Sequence, residues 1–251
     1  MKTFDNATGS LLPGGFVKLT TIIKTAGYVE RNAAARVSGL KSQHASAWRK
    51  TEVVCVSVQP VATVSPSIVA LLRSWTQDAH SALEAQLSLL DQPASAEFYV
   101  HLLRRFLGFH QVWEQDLQAF PVLARELKTR SRIQHLRHDL KMLGLSEAEI
   151  SGVPLCRDAH CVTADEAHAL GSFYVLEGST LGGQVITKHL SGAAWLPAEG
   201  LSYFNPYGSR TGEMWRSFKR WLENQAEQHA LNDIVFGARG TFLVLEKWLS
   251  E

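Results

Sequence analysis

Cysteine is scarce in this chain: Cys55, Cys156 and Cys161 are the only three among 251 residues. A low, odd count argues against a disulfide framework and suits a reducing compartment, so a cytoplasmic protein is expected. An excess of one charge is missing too. Lys and Arg number 25 and Asp and Glu 24, for a formal net charge of +1. Such a balance gives no strong pull toward nucleic acid or acidic lipid. Long hydrophobic runs are absent, and no stretch approaches the ~18 apolar residues of a membrane span. The opening "MKTFDNATGSLLPGG" lacks the basic and apolar regions of a secretory signal. The chain also lacks a P-loop, a dinucleotide-binding fingerprint, HExxH and GxSxG. No basic stripe is interleaved with aromatics in the way nucleic-acid binding requires. Neither a nucleic-acid nor a membrane partner is expected.

What is present is enough apolar residue, 45% of the chain, for one sizeable core. Residues 1–66 stand apart. They are rich in Gly, Ala, Ser, Thr and Val, with only a weak strand-like alternation in "TEVVCVSVQPVATV" (Thr51 to Val64). A lone strand is marginal, so this stretch reads as a poorly ordered or loosely attached N-terminal extension. From residue 67 the periodicity is helical. Ile68, Leu71, Leu72, Trp75, Ala79, Leu83, Leu87 and Leu90 lie at three- and four-residue spacing. A second helix is expected after the turn at Asp91 to Pro93, with Ser95 as its cap. "RIQHLRHDLKMLGL" is a third, stopped near Gly144, and "SEAEI" is a short one. A long helix runs through "TADEAHALGSFYVLEGSTLGGQVITKHL", with Thr163 and Glu166 as a capping box. "TGEMWRSFKRWLENQAEQH" and "LNDIVFGARGTFLVLEKWLSE" complete an all-α, single-domain helical bundle over residues 67–251. The connection from Ser191 to Thr211 is aromatic and rich in Gly and Pro, like a packed loop.

The long helix weakens itself. "LEGSTLGGQV" holds Gly178, Gly182 and Gly183, each costing roughly 0.5–1 kcal/mol relative to alanine. Spacing alone leaves close helix packing and close approach of a ligand both open, and adjacent Gly182 and Gly183 point to a kink. His80 in "QDAHSALEAQ" is either a metal ligand or an ordinary surface or core histidine, with Glu84 one turn on. Arg216 and Arg220 share a helix face beside Trp215, Phe218 and Trp221. That face suits a bound carboxylate or is simply a solvated basic surface. "CRDAHC" has three candidate metal ligands without an obvious fourth and reads as a loop.

Together these pieces resemble the haem oxygenase family, nearest its bacterial, bacteriophytochrome-associated branch. "FYVLEGSTLGGQVI" resembles the glycine-rich distal helix of that family. "RSWTQDAHSALE" resembles the helix bearing its proximal ligand, and "FNPYGSRTGEMWRSFKRWL" resembles its penultimate segment. The resemblance covers residues 68–250. It implies His80 as the axial ligand of haem iron, and Gly178 and Gly182 as the distal residues that leave room for O₂, with Gly183 aiding a bend. It implies Arg73, Arg216 and Arg220 as propionate partners and Phe173 as a pocket-lining ring. Animal relatives have an aspartate where this chain has Ser179. The proton route is thereby left to Ser179, backbone carbonyls or ordered water.

The implied activity is O₂-dependent opening of haem to biliverdin, with release of CO and ferrous iron. Haem is then both cofactor and substrate, and electrons come from an external reductase or ferredoxin. The product would supply iron, or bilin chromophore to a bacteriophytochrome. Two alternatives stand beside this reading: a non-catalytic haem carrier on the same bundle, and a helical interaction protein without haem.

Overall fold

The apolar stripes form helices at nearly every expected place. The structure, a computed structural model, describes residues 66–87, 95–197 and 199–251. The extension expected before residue 67, with its strand-like Thr51–Val64, lies outside the described residues apart from Pro66. Helix α1 is Ile68–Leu87, α2 Ala96–Leu117, α3 Pro121–Leu127, α4 Ile133–Met142 and α5 Glu147–Ser151. They are followed by α6 Glu166–Leu190, α7 Thr211–Ala226 and α8 Leu231–Ser250, with 3₁₀ turns at Arg157–Thr163 and Gly208–Arg210. No strand occurs among the described residues, and no described helix is long and apolar enough to cross a membrane.

Local chemistry sets the helix ends. The Phe98 amide donates to Ser95 Oγ at 3.1 Å, capping α2. Pro121 opens α3 at a position where its missing N–H costs nothing. Gly144, at φ +92°, carries the chain out of α4, and Ser146 and Glu149 form a capping box on α5. The start of α6 departs from expectation. Asp165, not Thr163, caps it, accepting from the His168 amide at 2.9 Å. Thr163 closes the preceding 3₁₀ turn and donates to Asp116 Oδ2 at 2.6 Å. The same turn takes up most of "CRDAHC", read as a loop, and leaves Cys156 buried and Cys161 exposed.

α6 runs through Gly182 and Gly183 as one continuous helix, so the weak point made by the glycines does not end it. Gly183 serves close approach instead. A Cβ there would sit 2.1 Å from the Phe204 carbonyl oxygen. Phe204 belongs to the Ser191–Thr211 connection, which is packed as expected, with Leu201, Tyr203 and Phe204 buried. Fully buried Asp139 of α4 anchors it. This carboxylate accepts from the Ser202 amide at 3.0 Å, the Ser202 hydroxyl at 2.6 Å and the Tyr203 amide at 2.8 Å.

The closest helix pairing is α6 on α8. It is a reciprocal glycine contact. A Cβ on Gly171 of α6 would lie 1.9 Å from the Ile234 carbonyl oxygen, and one on Gly237 of α8 would lie 2.1 Å from that of His168. Both partners are backbone, so neither clash is relieved by turning a side chain. α1 packs on another part of α8, aided by the two-pronged pairing of Arg239 with Asp78, with N···O distances of 2.9 and 2.8 Å. α1 and α6 hardly touch one another.

Gly171→Ala is expected to cost about 1–3 kcal/mol or more, as overpacking does in a filled core. Gly192→Ala, where a Cβ meets nothing within 4 Å, is the control and is expected to be near neutral. Urea unfolding midpoints at constant m-value distinguish the two.

Candidate functional site

Because α1 and α6 share α8 without closing on each other, each leaves a half-buried stripe. On α6 the stripe is Tyr174, Gly178, Leu181, Gly182 and Val185. On α1 it is Val69, Arg73, His80, Leu83, Glu84 and Leu87, with buried Thr76 among them. Both follow helical spacing. α1 and α6 thus both pack on α8, whose Phe242 meets the His80 ring edge-on at 5.6 Å, and the space between them over α8 is the candidate slot.

His80 has the setting of a metal ligand. Its Nδ1 lies 3.5 Å from Glu84 Oε2, one turn further on. Burial holds the imidazole below its usual pKa, so the ring is neutral near pH 7. Glu84 Oε1 is buried without a hydrogen-bond partner among the described residues, and burial pushes that carboxyl up to about 6. Nε2 of His80 has no hydrogen bond among the described residues. A neutral ring near a carboxylate at one nitrogen and unengaged at the other has the chemistry of a metal ligand.

The glycine stretch divides between two jobs. A Cβ on Gly178 would meet the Trp215 ring of α7 at 3.6 Å, an ordinary contact. Gly182 lies on the same half-buried face, whereas Gly183 is turned to the Phe204 backbone. Ser179 is exposed, and its hydroxyl donates to the Leu176 carbonyl at 2.8 Å. Phe173, expected to line the pocket, is instead a core residue. Its ring lies 5.2 Å from Trp113, 5.3 Å from Phe218 and 5.8 Å from Trp221. The reason is helical phase: Phe173 falls on the face of α6 buried under α2 and α7, and the next residue turns outward. Tyr174 packs against Trp215 at 5.9 Å, and its phenol is pushed up to about 12 by burial, with Arg73 pulling the other way. Tyr174 is thus the aromatic of α6 that shares an environment with Arg73.

Arg216 and Arg220 come together as the spacing predicts. They line a cleft of about 650 Å³ between α7 and the start of α1, with Ser67, Val69, Glu213, Ser217 and Glu223. Lys219, which spacing assigns to an adjacent face, joins them there, its Nζ 5.9 Å from the Trp215 ring. None of these three cations is held in an ion pair among the described residues. That arrangement suits a carboxylate ligand.

Sequence reading missed the polar cluster on the other side of Gly178. Glu177 is 1% exposed and accepts hydrogen bonds from Arg130, from Arg132 at 3.1 Å and from the Tyr207 hydroxyl at 2.9 Å. Arg130 also donates to Glu126 at 2.6 Å and to the Met214 carbonyl at 3.3 Å. Glu114 of α2 fastens the same loop, accepting from the Ser131 hydroxyl at 2.6 Å and the Arg132 amide at 2.7 Å. The available signal was one acid, Glu177, inside the otherwise uncharged run "GSFYVLEGSTLGG". A buried acid demands partners.

The Heme oxygenase family model matches residues 67–251. The chain belongs to the haem oxygenase family. A curated relative, "Heme oxygenase" of Xanthomonas campestris pv. campestris, is 30% identical over 150 residues, covering 59% of this chain and 86% of that one. The fold is similar to that of the haem oxygenase of Leptospira interrogans, with a TM-score of 0.62 at 18% identity over 74% of this chain and 99% of that one. It is also similar to heme oxygenase-2 of Synechocystis, solved with heme and NO, with a TM-score of 0.62 at 18% identity over 74% and 84%. Membership puts the chain among haem-degrading oxidoreductases. The residues have the chemistry such a group needs: an imidazole with one nitrogen unengaged among the described residues, a side-chain-free stretch on α6, and a cleft lined by three cations together with Glu213 and Glu223.

Acid should loosen the loop behind the site. Burial pushes the Glu114 carboxyl up, but the His110 ring, the Ser131 hydroxyl and the Arg132 amide outweigh it and hold it below the usual carboxylate range. Its stabilising contribution is full above the unfolded value near 4.5 and is lost as pH falls through the folded value. Glu114→Gln is expected to lower Tm at pH 7 and to flatten the fall in Tm between about pH 5 and pH 3. Thermal melts across that range check it.

Proposed function

We propose that this protein opens haem to biliverdin, releasing CO and ferrous iron, with O₂ and electrons from an external reductase or ferredoxin. The product would supply iron, or bilin chromophore to an acceptor such as a bacteriophytochrome. The observation that supports the reading is His80, neutral and with Nε2 unengaged among the described residues, on a helix that shares α8 with the helix bearing the side-chain-free stretch at Gly178 and Gly182. Haem, when bound, supplies the redox iron that takes up O₂ and is itself the carbon skeleton that is cut.

The chain's residues do the rest by placement. His80 would bind through Nε2 on one side, with Glu84 fixing the ring through Nδ1. Gly178 and Gly182 would leave the α6 side free of side chains, giving a small ligand of the group room to bind. Arg216, Lys219 and Arg220 would hold the propionates in their cleft, with Arg73 and Tyr174 nearer the slot, and so set which edge of the ring lies under α6. The Ser179 hydroxyl is engaged by the Leu176 carbonyl and faces outward, so proton supply to the slot falls to solvent reaching the half-exposed glycine face. That same feature favours the second reading, a haem carrier that binds without turnover.

Two variants test the arrangement together. His80→Ala is expected to abolish the ligated Soret band in a haem titration. Gly178→Phe is expected to keep that band but lower bilin yield by about a hundredfold, the scale of a misplaced reacting geometry. An unchanged Soret band in the first, or unchanged bilin yield in the second, contradicts the proposal.

A further inference from the structure

The buried charge cluster next to the glycine stretch is unused by the function proposed above. We infer that Glu177, clasped by Arg130, Arg132 and Tyr207, is a positioning residue that sets how far the Gly178–Gly182 face of α6 stands from Trp215 and the haem slot. This inference rests on the proposed haem reaction, but its first readout does not need haem.

Burying these three charged groups is costly. Glu177, Arg130 and Arg132 are 1%, 3% and 5% exposed. An apolar trio of similar volume would hold a core as well or better, so buried ion pairs are poor devices for stability alone. What they supply is direction. Arg132 Nη2 donates both to Glu177 Oε2 at 3.1 Å and to the Tyr207 hydroxyl at 2.8 Å, and that hydroxyl donates to the same Oε2 at 2.9 Å. Arg130 takes the other carboxylate oxygen. Oε1 is thus held by Arg130, and Oε2 by Arg132 of the same connection and by Tyr207 of a separate one, which restrains the rotation of α6 as well as its distance.

The cluster also joins the parts that must agree around the slot. Through Glu126 it reaches α3, through the Met214 carbonyl it reaches the first turn of α7, and through Tyr207 it reaches the connection that packs on Gly183. Trp215, the ring nearest Gly178, directly follows Met214. Gly178 directly follows Glu177. One carboxylate thus holds the two neighbours whose separation defines the space at Gly178. It does so from the buried side, where the carboxylate is fully occupied by donors and is not offered to the slot.

The test uses Glu177→Gln in the full chain, with Glu177→Asp as the conservative variant. In the apo protein, amide exchange over residues 176–184 is expected to speed up about tenfold in Glu177→Gln, with the α8 amides unchanged. In the haem complex the ligated Soret band is expected to persist. Bilin formation should slow about tenfold, with a second bilin isomer appearing, and Glu177→Asp should restore the single-isomer product in part. Isomer composition is the deciding readout, because loss of folded protein lowers yield without changing it. Unchanged exchange together with an unchanged isomer pattern overturns the inference. So does exchange that rises evenly over the whole chain with one isomer retained, which marks a purely structural role. If Glu177→Gln does not fold, Tyr207→Phe, which removes one hydroxyl, is scored by the same two readouts with smaller shifts in the same direction. If the wild type forms no bilin, the functional reading fails, and the apo exchange result alone decides whether Glu177 positions α6.

Discussion

Everything at the slot depends on how closely α6 and α8 approach. Gly171 and Gly237 each face a carbonyl of the other helix at a distance that no Cβ tolerates. That contact makes α8 a fixed floor. α1 docks elsewhere on the same floor, so the gap between α1 and α6 is set by two separate packings on one helix and not by contact between the two walls. Their separation therefore follows from the two packings on α8.

The division of labour along α6 follows from helical phase. Its buried face carries Phe173, Glu177, Thr180 and Gly183, and its half-buried face carries Tyr174, Gly178, Leu181 and Gly182. The first face is fastened by aromatic rings, by two arginines and by the Phe204 backbone. The second is left sparse. Glycine therefore has two meanings within a few residues. At Gly183 it admits another segment of backbone, and at Gly178 it keeps the slot side of the helix low.

Much of this was legible in the sequence, and the exceptions have physical causes. Amphipathic spacing located α1 and α2, because tertiary burial follows that period directly. Arg216 and Arg220 were found by i,i+4 spacing, whereas Lys219 was set aside because spacing does not show which part of a face a long side chain reaches. α3 went unread because it is only seven residues long and follows the turn at Phe120. Glycine content alone marked a weak point at Gly182 and Gly183, and α6 nonetheless continues through it, supported by α7, α8 and the Ser191–Thr211 connection, since packing overrides local propensity. Phe173 and Tyr174 differ by one residue and hence by about 100° on the helix, a distinction that needs the neighbouring helices. The Glu177 cluster draws Arg130, Arg132 and Tyr207 from distant stretches, and no local pattern announces their meeting.

The most direct measurement is a single turnover of the wild-type protein, loaded with one haem under anaerobic conditions and then given O₂ and an electron donor. The account predicts loss of the Soret band with release of CO and one equivalent of biliverdin, identified by chromatography. A Soret band that survives repeated reduction in O₂, with no bilin formed, would contradict it and leave a haem-binding protein without ring-opening activity.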